Sequence, residues 1–438
     1  MKHLTQKLFI GALLISITSF AQTNQPCYSF DVIKAMDQRI PGYAAKVKKA
    51  FEDNKELLLH TTSYKTNADT LYNIPVVVHI VSTSSVPATN IDDSLVYSQI
   101  EVLNQDYGRT NPDTGNTRDE FKPIAGSLRF RFFLADTDPA GNPSTGIIRK
   151  VGTPGAFGFL PPLGFGGVGD EVKRDADGGS DPWPTNRYLN IWVCDIGIPG
   201  VLGYAFPPTG AMNWPAGSET DSASQGVVID YTTFGRNNPN ALAPEVGRGR
   251  SCTHEVGHYL GLRHIWADET ACAEDDGIDD TPRQGDNSGQ ACNLSANTCT
   301  ETGAVQFKDM IENYMDYSDE RCQNMFSRQQ ADMMLLNLVT LRPDLAIKTQ
   351  VGGVGINNVS ESVFTVYPNP VSTSLRVSGS WKGEAKFSLY QINGRLISSN
   401  QSWEAGSDID VSHLPIGLYI LKVESEGRVS HGRFEVIR

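Results

Sequence analysis

His254-Glu255-Val256-Gly257-His258-Tyr259-Leu260-Gly261-Leu262-Arg263-His264 is the stretch on which the reading of this chain turns. Three of the eight histidines fall within these eleven residues. On an α-helix His254 and His258 are four apart and share a face, so both imidazoles can reach one metal ion at ~2 Å. Glu255 then projects beside the metal rather than onto it. Gly261 can adopt the left-handed conformation that ends a helix, after which the chain turns back and delivers His264 as a third ligand. Three nitrogen ligands leave one position open for water, which marks a catalytic rather than a structural zinc. Zinc lowers the pKa of that water, and Glu255 can take its proton.

The flanking patterns predict an α/β unit around this helix. Residues 74–82, IPVVVHIVS, are β-branched and predict a strand. Ile91–Tyr107 carries Leu95, Ile100, Val102 and Leu103 at helical spacing. Ser127–Ala135 alternates like a half-buried strand, and Tyr188–Cys194 and Gly226–Tyr231 predict two more. Residues 152–186, rich in Gly and Pro, predict a long surface loop. A helical segment is expected from near Pro244 into the histidine motif. A second long helix over 325–342 closes the unit, with Pro343 just beyond it.

Downstream of His264 lies Asn313-Tyr314-Met315-Asp316-Tyr317-Ser318. With HEVGHYLGLRHIW and an acidic, cysteine-containing loop, it resembles the metzincin zinc endopeptidases, and the pappalysin family in particular, over about residues 70–345. The resemblance implies a two-lobed catalytic domain, with a mixed sheet above the cleft and an irregular lower lobe. It makes Met315 a soft floor under the histidines and Tyr317 a hydrogen-bond donor to the tetrahedral oxyanion. It places Glu320, with Asp319 as a neighbouring candidate, in the pocket for the residue after the scissile bond. A carboxylate there favours Arg or Lys.

Residues 268–280, DETACAEDDGIDD, carry seven acids in thirteen residues. Such a run repels itself unless it is solvated or metal-bound, and calcium takes six to eight oxygen ligands. Members of the family bind calcium in this loop, which makes Asp276, Asp279, Asp280 and Thr281 the candidate ligands. Cys272, Cys292, Cys299 and Cys322 allow three pairings; the resemblance favours Cys272–Cys299 and Cys292–Cys322. Cys194, at a strand end, and Cys252, two residues before His254, can pair across strand and helix. Of the seven cysteines that leaves Cys27.

Residues 1–21 predict a signal peptide: Lys2 and Lys7, the apolar run Leu8–Ile17, then Ser19-Phe20-Ala21. The chain is then exported, with no later segment apolar enough to cross a bilayer. Residues 22–69 predict a short propeptide with weak helical periodicity over Ile33–Phe51, broken near Pro41-Gly42. Its Cys27 thiolate is suited to fill the open zinc position and keep the enzyme latent. The catalytic domain is expected over 70–347 and a Gly/Asn/Ser-rich linker over 348–360. Residues 361–438 switch to short alternating runs and predict a small all-β sandwich. Val366-Tyr367-Pro368-Asn369-Pro370 and Leu414-Pro415-Ile416-Gly417-Leu418-Tyr419-Ile420-Leu421-Lys422-Val423 resemble the type A C-terminal sorting domain of the type IX secretion system. That implies a Bacteroidetes-type bacterium, partnership with the type IX machinery, and a product released or held at the cell surface. The formal net charge of −13 argues against nucleic acid as a partner. The excess acid sits almost wholly between about 70 and 347.

These readings converge on a secreted zinc endopeptidase acting on protein or peptide substrates. The alternative is a binding or adhesion protein on a protease-like scaffold. It predicts loss of Glu255 or of a histidine, and none is lost.

Overall fold

The structure, a computed structural model, describes residues 26–39, 41–60, 70–153, 156–157, 171–208, 225–243, 246–268, 271–299, 307–350, 365–378, 385–391, 396–404, 406–425 and 428–438. The expected signal peptide lies outside the described residues. Among them, no helix is long and apolar enough to cross a membrane. The chain divides into two compact units, 1–353 and 354–438.

The first unit is built on β1 (Thr70–Ser82), which runs through the middle of a seven-stranded sheet. Its side chains alternate between two hydrophobic layers. Ile74, Val76, Val78 and Ile80 join the main core, while Val77 and Val81 join clusters on the opposite face. One edge of β1 pairs in parallel with β2 (Phe130–Leu134) and then β3 (Ile147–Val151). The other pairs in parallel with β4 (Leu189–Cys194). Beyond β4 the sheet continues to β6 (Val227–Asp230) and ends on the short antiparallel β5 (Gly203–Ala205). β7 (Ile347–Gln350) pairs antiparallel with the start of β1. The first three residues of the expected linker are therefore strand.

α3 (Asp93–Tyr107) is capped by the Asp92 carboxylate, which accepts from Ser94 N–H at 2.8 Å. It packs with α4 (Arg250–Tyr259) on the core side of the sheet. α5 (Arg328–Leu341) opens with a reciprocal capping box between Ser327 and Gln330. Ahead of β1 lie α1 (Ser29–Arg39) and α2 (Tyr43–His60), with Gly42 in a left-handed turn between them.

Three details differ from the sequence reading. The expected surface loop 152–186 contains two 3-10 turns, and Val172 and Lys173 within it are buried. α4 begins at Arg250, not near Pro244. Cys194 and Cys252 are both free thiols, so the expected Cys194–Cys252 pair does not form. The sheet keeps them apart. Along β4, Leu189, Ile191 and Val193 face α4, and the alternation sends Trp192 and Cys194 to the other face. Cys252 lies in the core on the α4 side.

The second unit is a two-sheet β structure. β11 (Leu396–Trp403), β10 (Ala385–Gln391), β13 (Gly417–Ser425) and β14 (Arg428–Val436) form one sheet, in that order. β12 (Ile409–Asp410), β9 (Ser374–Ser378) and β8 (Thr365–Tyr367) form the other. Leu375, Val377 and Ile409 from the second sheet share one core with Leu389, Leu421, Val423 and Phe434 from the first.

Candidate metal centre and cleft

α4 puts His254 and His258 one turn apart, and its end is sharp. Gly261 sits at φ +93°, its N–H donates to the His258 carbonyl at 2.8 Å, and Leu262 N–H reaches the Gly257 carbonyl at 3.0 Å. The reversed chain brings in His264. The three Nε2 atoms lie 3.0, 3.0 and 3.2 Å from one another. Each ring is fixed through its other nitrogen: His254 Nδ1 on the Tyr314 carbonyl at 2.6 Å, His258 Nδ1 on the Leu262 carbonyl at 2.9 Å, and His264 Nδ1 on the Asp268 carboxylate. A ring that donates from Nδ1 presents a bare lone pair at Nε2. Three lone pairs then converge with no proton between them. Burial keeps His258 neutral, pushing it down to about 3, and lowers His254 as well. This donor set fits a divalent cation, and an all-imidazole triad suits zinc.

Met315 lies beneath α4, fully buried. A Cβ on Gly257 would stand 2.5 Å from the Met315 sulfur, so the glycine lets this turn close on the helix. Gly203 of β5 plays the same part above: a Cβ there would stand 2.8 Å from Glu255 Cγ. Trp266 stacks on His264 at 4.3 Å and meets Tyr317 edge-on.

The cleft is filled by the chain's own N-terminal segment. Leu202 N–H donates to the Pro26 carbonyl at 2.6 Å, Tyr28 N–H to the Gly203 carbonyl at 3.0 Å, and Cys27 bridges Gly203 in parallel. Cys27 Sγ and the three histidine nitrogens lie within 4.8 Å of one another. The Cys27 carbonyl accepts from Tyr317 OH at 2.9 Å. Ser29, which the sequence reading missed, donates to Glu255 Oε2 at 3.1 Å and accepts from Ala205 N–H at 2.9 Å. Burial pushes the Glu255 carboxyl up to about 8, against the lowering effect of its Cys27 and Ser29 hydrogen bonds.

Glu320 is buried beside Glu255, Ser251 and Tyr317 in a pocket under the cleft. Its carboxylate accepts from Arg248 N–H (2.6 Å), Ser251 N–H (2.8 Å) and Ser251 Oγ (2.9 Å). Burial raises its pKa, and these donors oppose the rise. The Asp319 carboxylate is engaged by Arg321 at 2.9–3.0 Å.

The acidic-loop candidates do different jobs. Asp280 accepts from Ser327 Oγ and from Gln329 N–H at 3.0 Å, at the start of α5. Asp279 is exposed. Asp276 is buried: its Oδ1 accepts from Ile278 N–H (3.0 Å) and Thr281 Oγ1 (2.8 Å), while its Oδ2 has no partner. Burial pushes this carboxyl up to about 8. An orphaned, buried carboxylate oxygen beside a hydroxyl fits a cation at Asp276 and Thr281. Asp279 and Asp280 are not drawn into that set. Cys272–Cys299 and Cys292–Cys322 are disulfide-bonded, holding the irregular lower region together.

Known proteins match both units. Residues 173–339 match the peptidase family model described as pregnancy-associated plasma protein-A, and residues 365–436 match the secretion system C-terminal sorting domain. A Tannerella forsythia promirolysin mutant is 36% identical, with a TM-score of 0.61 over 73% of this chain and 97% of that one. Mature Tannerella forsythia mirolysin with a cleaved peptide is 39% identical, with a TM-score of 0.55 over 63% and 96%. An extracellular metalloprotease of Arthroderma gypseum is 27% identical over 296 residues, 67% of this chain and 79% of that protein. The mixed sheet and active-site helix are those of a metzincin, the proenzyme matches a larger share of the chain than the mature form, and the chain belongs to the pappalysin family of metalloproteases.

Proposed function

We propose that this chain is a secreted, latent zinc endopeptidase held inactive by its own residues 26–29. The observation that carries the reading is the convergence of His254, His258, His264 and Cys27 on one point beside Glu255. A zinc ion bound there would supply a Lewis acid for water and carbonyl activation. The rest falls to the protein. Glu255, one residue beyond a ligand, takes the proton of the attacking water and returns it to the leaving amine. Tyr317 OH, freed from the Cys27 carbonyl, donates to the developing oxyanion. The Gly203 carbonyl and Ala205 N–H, freed from residues 28 and 29, offer a substrate strand its backbone partners. Glu320 selects Arg or Lys after the scissile bond.

Residues 1–21 direct export and residues 22–69 act as the propeptide. The C-terminal unit engages the type IX machinery, and the mature protein is free or surface-attached. Calcium held by Asp276 and Thr281 steadies the acidic loop.

The test is azocasein cleavage by the purified protein, with 1,10-phenanthroline inhibition and Glu255→Ala. Loss of a general base costs ~10²–10⁴-fold. Residual activity of Glu255→Ala near wild type would overturn the mechanism.

A further inference from the structure

The active-site helix lacks a cap of its own. It starts from Gly249, at φ +78°, which has no side chain to receive the first N–H groups. Glu320, from a distant turn, accepts from one of them, Ser251 N–H, and from Arg248 N–H just ahead of the helix. The backbone of the Glu320 turn is held from the opposite direction by Arg250, the first residue of α4. Arg250 is only 4% exposed. Its Nη1 donates to the Glu320 carbonyl at 2.7 Å and to the Gln323 carbonyl, while Nη1 and Nη2 grip both oxygens of Asp113 at 2.7 and 2.6 Å. Asp106 of α3 stands 3.6 Å from Nη2, and the Tyr314 ring lies under the guanidinium at 5.5 Å. Arg248 shares Asp113 at 3.0 Å.

A buried guanidinium needs this full set of acceptors, and its planar fork can serve a carboxylate and two carbonyls at once, where a lysine ammonium cannot. One helical turn therefore carries both ends of the geometry. Its start is locked to the Glu320–Gln323 turn, and its next turn bears His254 and Glu255.

We propose that Arg250, anchored by Asp113, is a positioning residue for substrate selectivity: it sets the distance between the Glu320 carboxylate and the scissile bond. This rests on the reading of Glu320 given above.

The test compares two peptides, identical except for Arg or Leu after the cleaved bond, hydrolysed by enzyme matured from the full chain. A displacement of ~1 Å from a remote mutation can cost ~10²-fold. Arg250→Lys should therefore slow both peptides but lower the Arg-over-Leu ratio of kcat/KM by ~10-fold. Asp113→Asn, at a less buried position, should move the ratio the same way by less, and it carries the test if Arg250→Lys does not fold. Glu320→Gln separates the two ideas. If it leaves the ratio intact, the Glu320 reading fails. If it collapses the ratio while Arg250→Lys or Asp113→Asn slows both peptides equally, Arg250 is merely structural and the proposal fails.

Discussion

The N-terminal segment holds the cleft in two different ways. Residues 26–29 aim nearly every polar group at catalytic machinery: a thiol at the histidines, a carbonyl at Tyr317, a hydroxyl at Glu255 and two backbone pairs at β5. Pro26, Cys27 and Ser29 are buried and Tyr28 is half-buried. α2, by contrast, meets the acidic loop through the Lys48–Glu274 ion pair at 2.5 Å, with side chains 49% and 34% exposed, and packs Phe51 under Arg263 of the histidine motif at 6.0 Å. Exposed pairs of that kind are worth ~0.2–1 kcal/mol, whereas hydrogen bonds to buried charged groups are worth ~1.5–3 kcal/mol. Inhibition and placement are therefore separable. On the proposed reading, a few atoms block the chemistry and the helices keep those atoms nearby.

The largest break in that contrast comes from Cys27→Ala. Losing the thiol should raise peptide hydrolysis by the unprocessed chain ~100-fold, equivalent to ~3 kcal/mol of lost pro-segment binding, measured before maturation on a gel-verified sample. Activity unchanged from wild type would remove Cys27 from the latch. Ser29→Ala is the next step down. Glu255 and Ala205 N–H each lose a partner, and the unprocessed chain should gain ~10-fold. Part of the gain should persist in the Cys27→Ala background: the two residues touch each other and both hydrogen-bond Glu255, so their effects couple, but only Ser29 also holds Ala205 N–H. If the double variant matches Cys27→Ala alone, Ser29 only positions the cysteine.

What was legible in the sequence follows the same division between local and remote. The histidines, Glu255 and Gly261 sit within one helical turn or the next, so spacing alone exposes them. β1, α3 and α5 announce themselves by periodicity. β5, three residues long, and β7 take their form from the strands they pair with. The start of α4 is not legible locally because its cap, Glu320, arrives from a distant loop. Ser29, Arg250 and Asp268 look like ordinary polar residues until the fold sets them against Glu255, Asp113 and His264. Cys194 and Cys252 stay unpaired for a related reason: the two buried thiols lie on opposite faces of the sheet, which spacing in the sequence does not show.

Chelating calcium while zinc is retained probes the surface on which α2 rests. A ligand at ~100 times its Kd contributes ~2.7 kcal/mol, which for a unit of this size corresponds to a fall of ~5 °C in Tm. An unmoved Tm would remove calcium from Asp276 and Thr281. Latency should survive the treatment, since residues 26–29 are held by β5, Glu255 and Tyr317.

The smallest effect belongs to Lys48→Glu. It reverses one partner of an exposed pair and sets like charges against Glu274. The cost is at most ~1 kcal/mol, so the unprocessed chain should gain no more than ~5-fold activity, and salt should erase the gain by screening. A rise as large as that of Cys27→Ala would mean that the helices do the inhibiting and that residues 26–29 merely follow them into the cleft. A small, salt-sensitive rise leaves the chemistry of latency with Cys27 and Ser29.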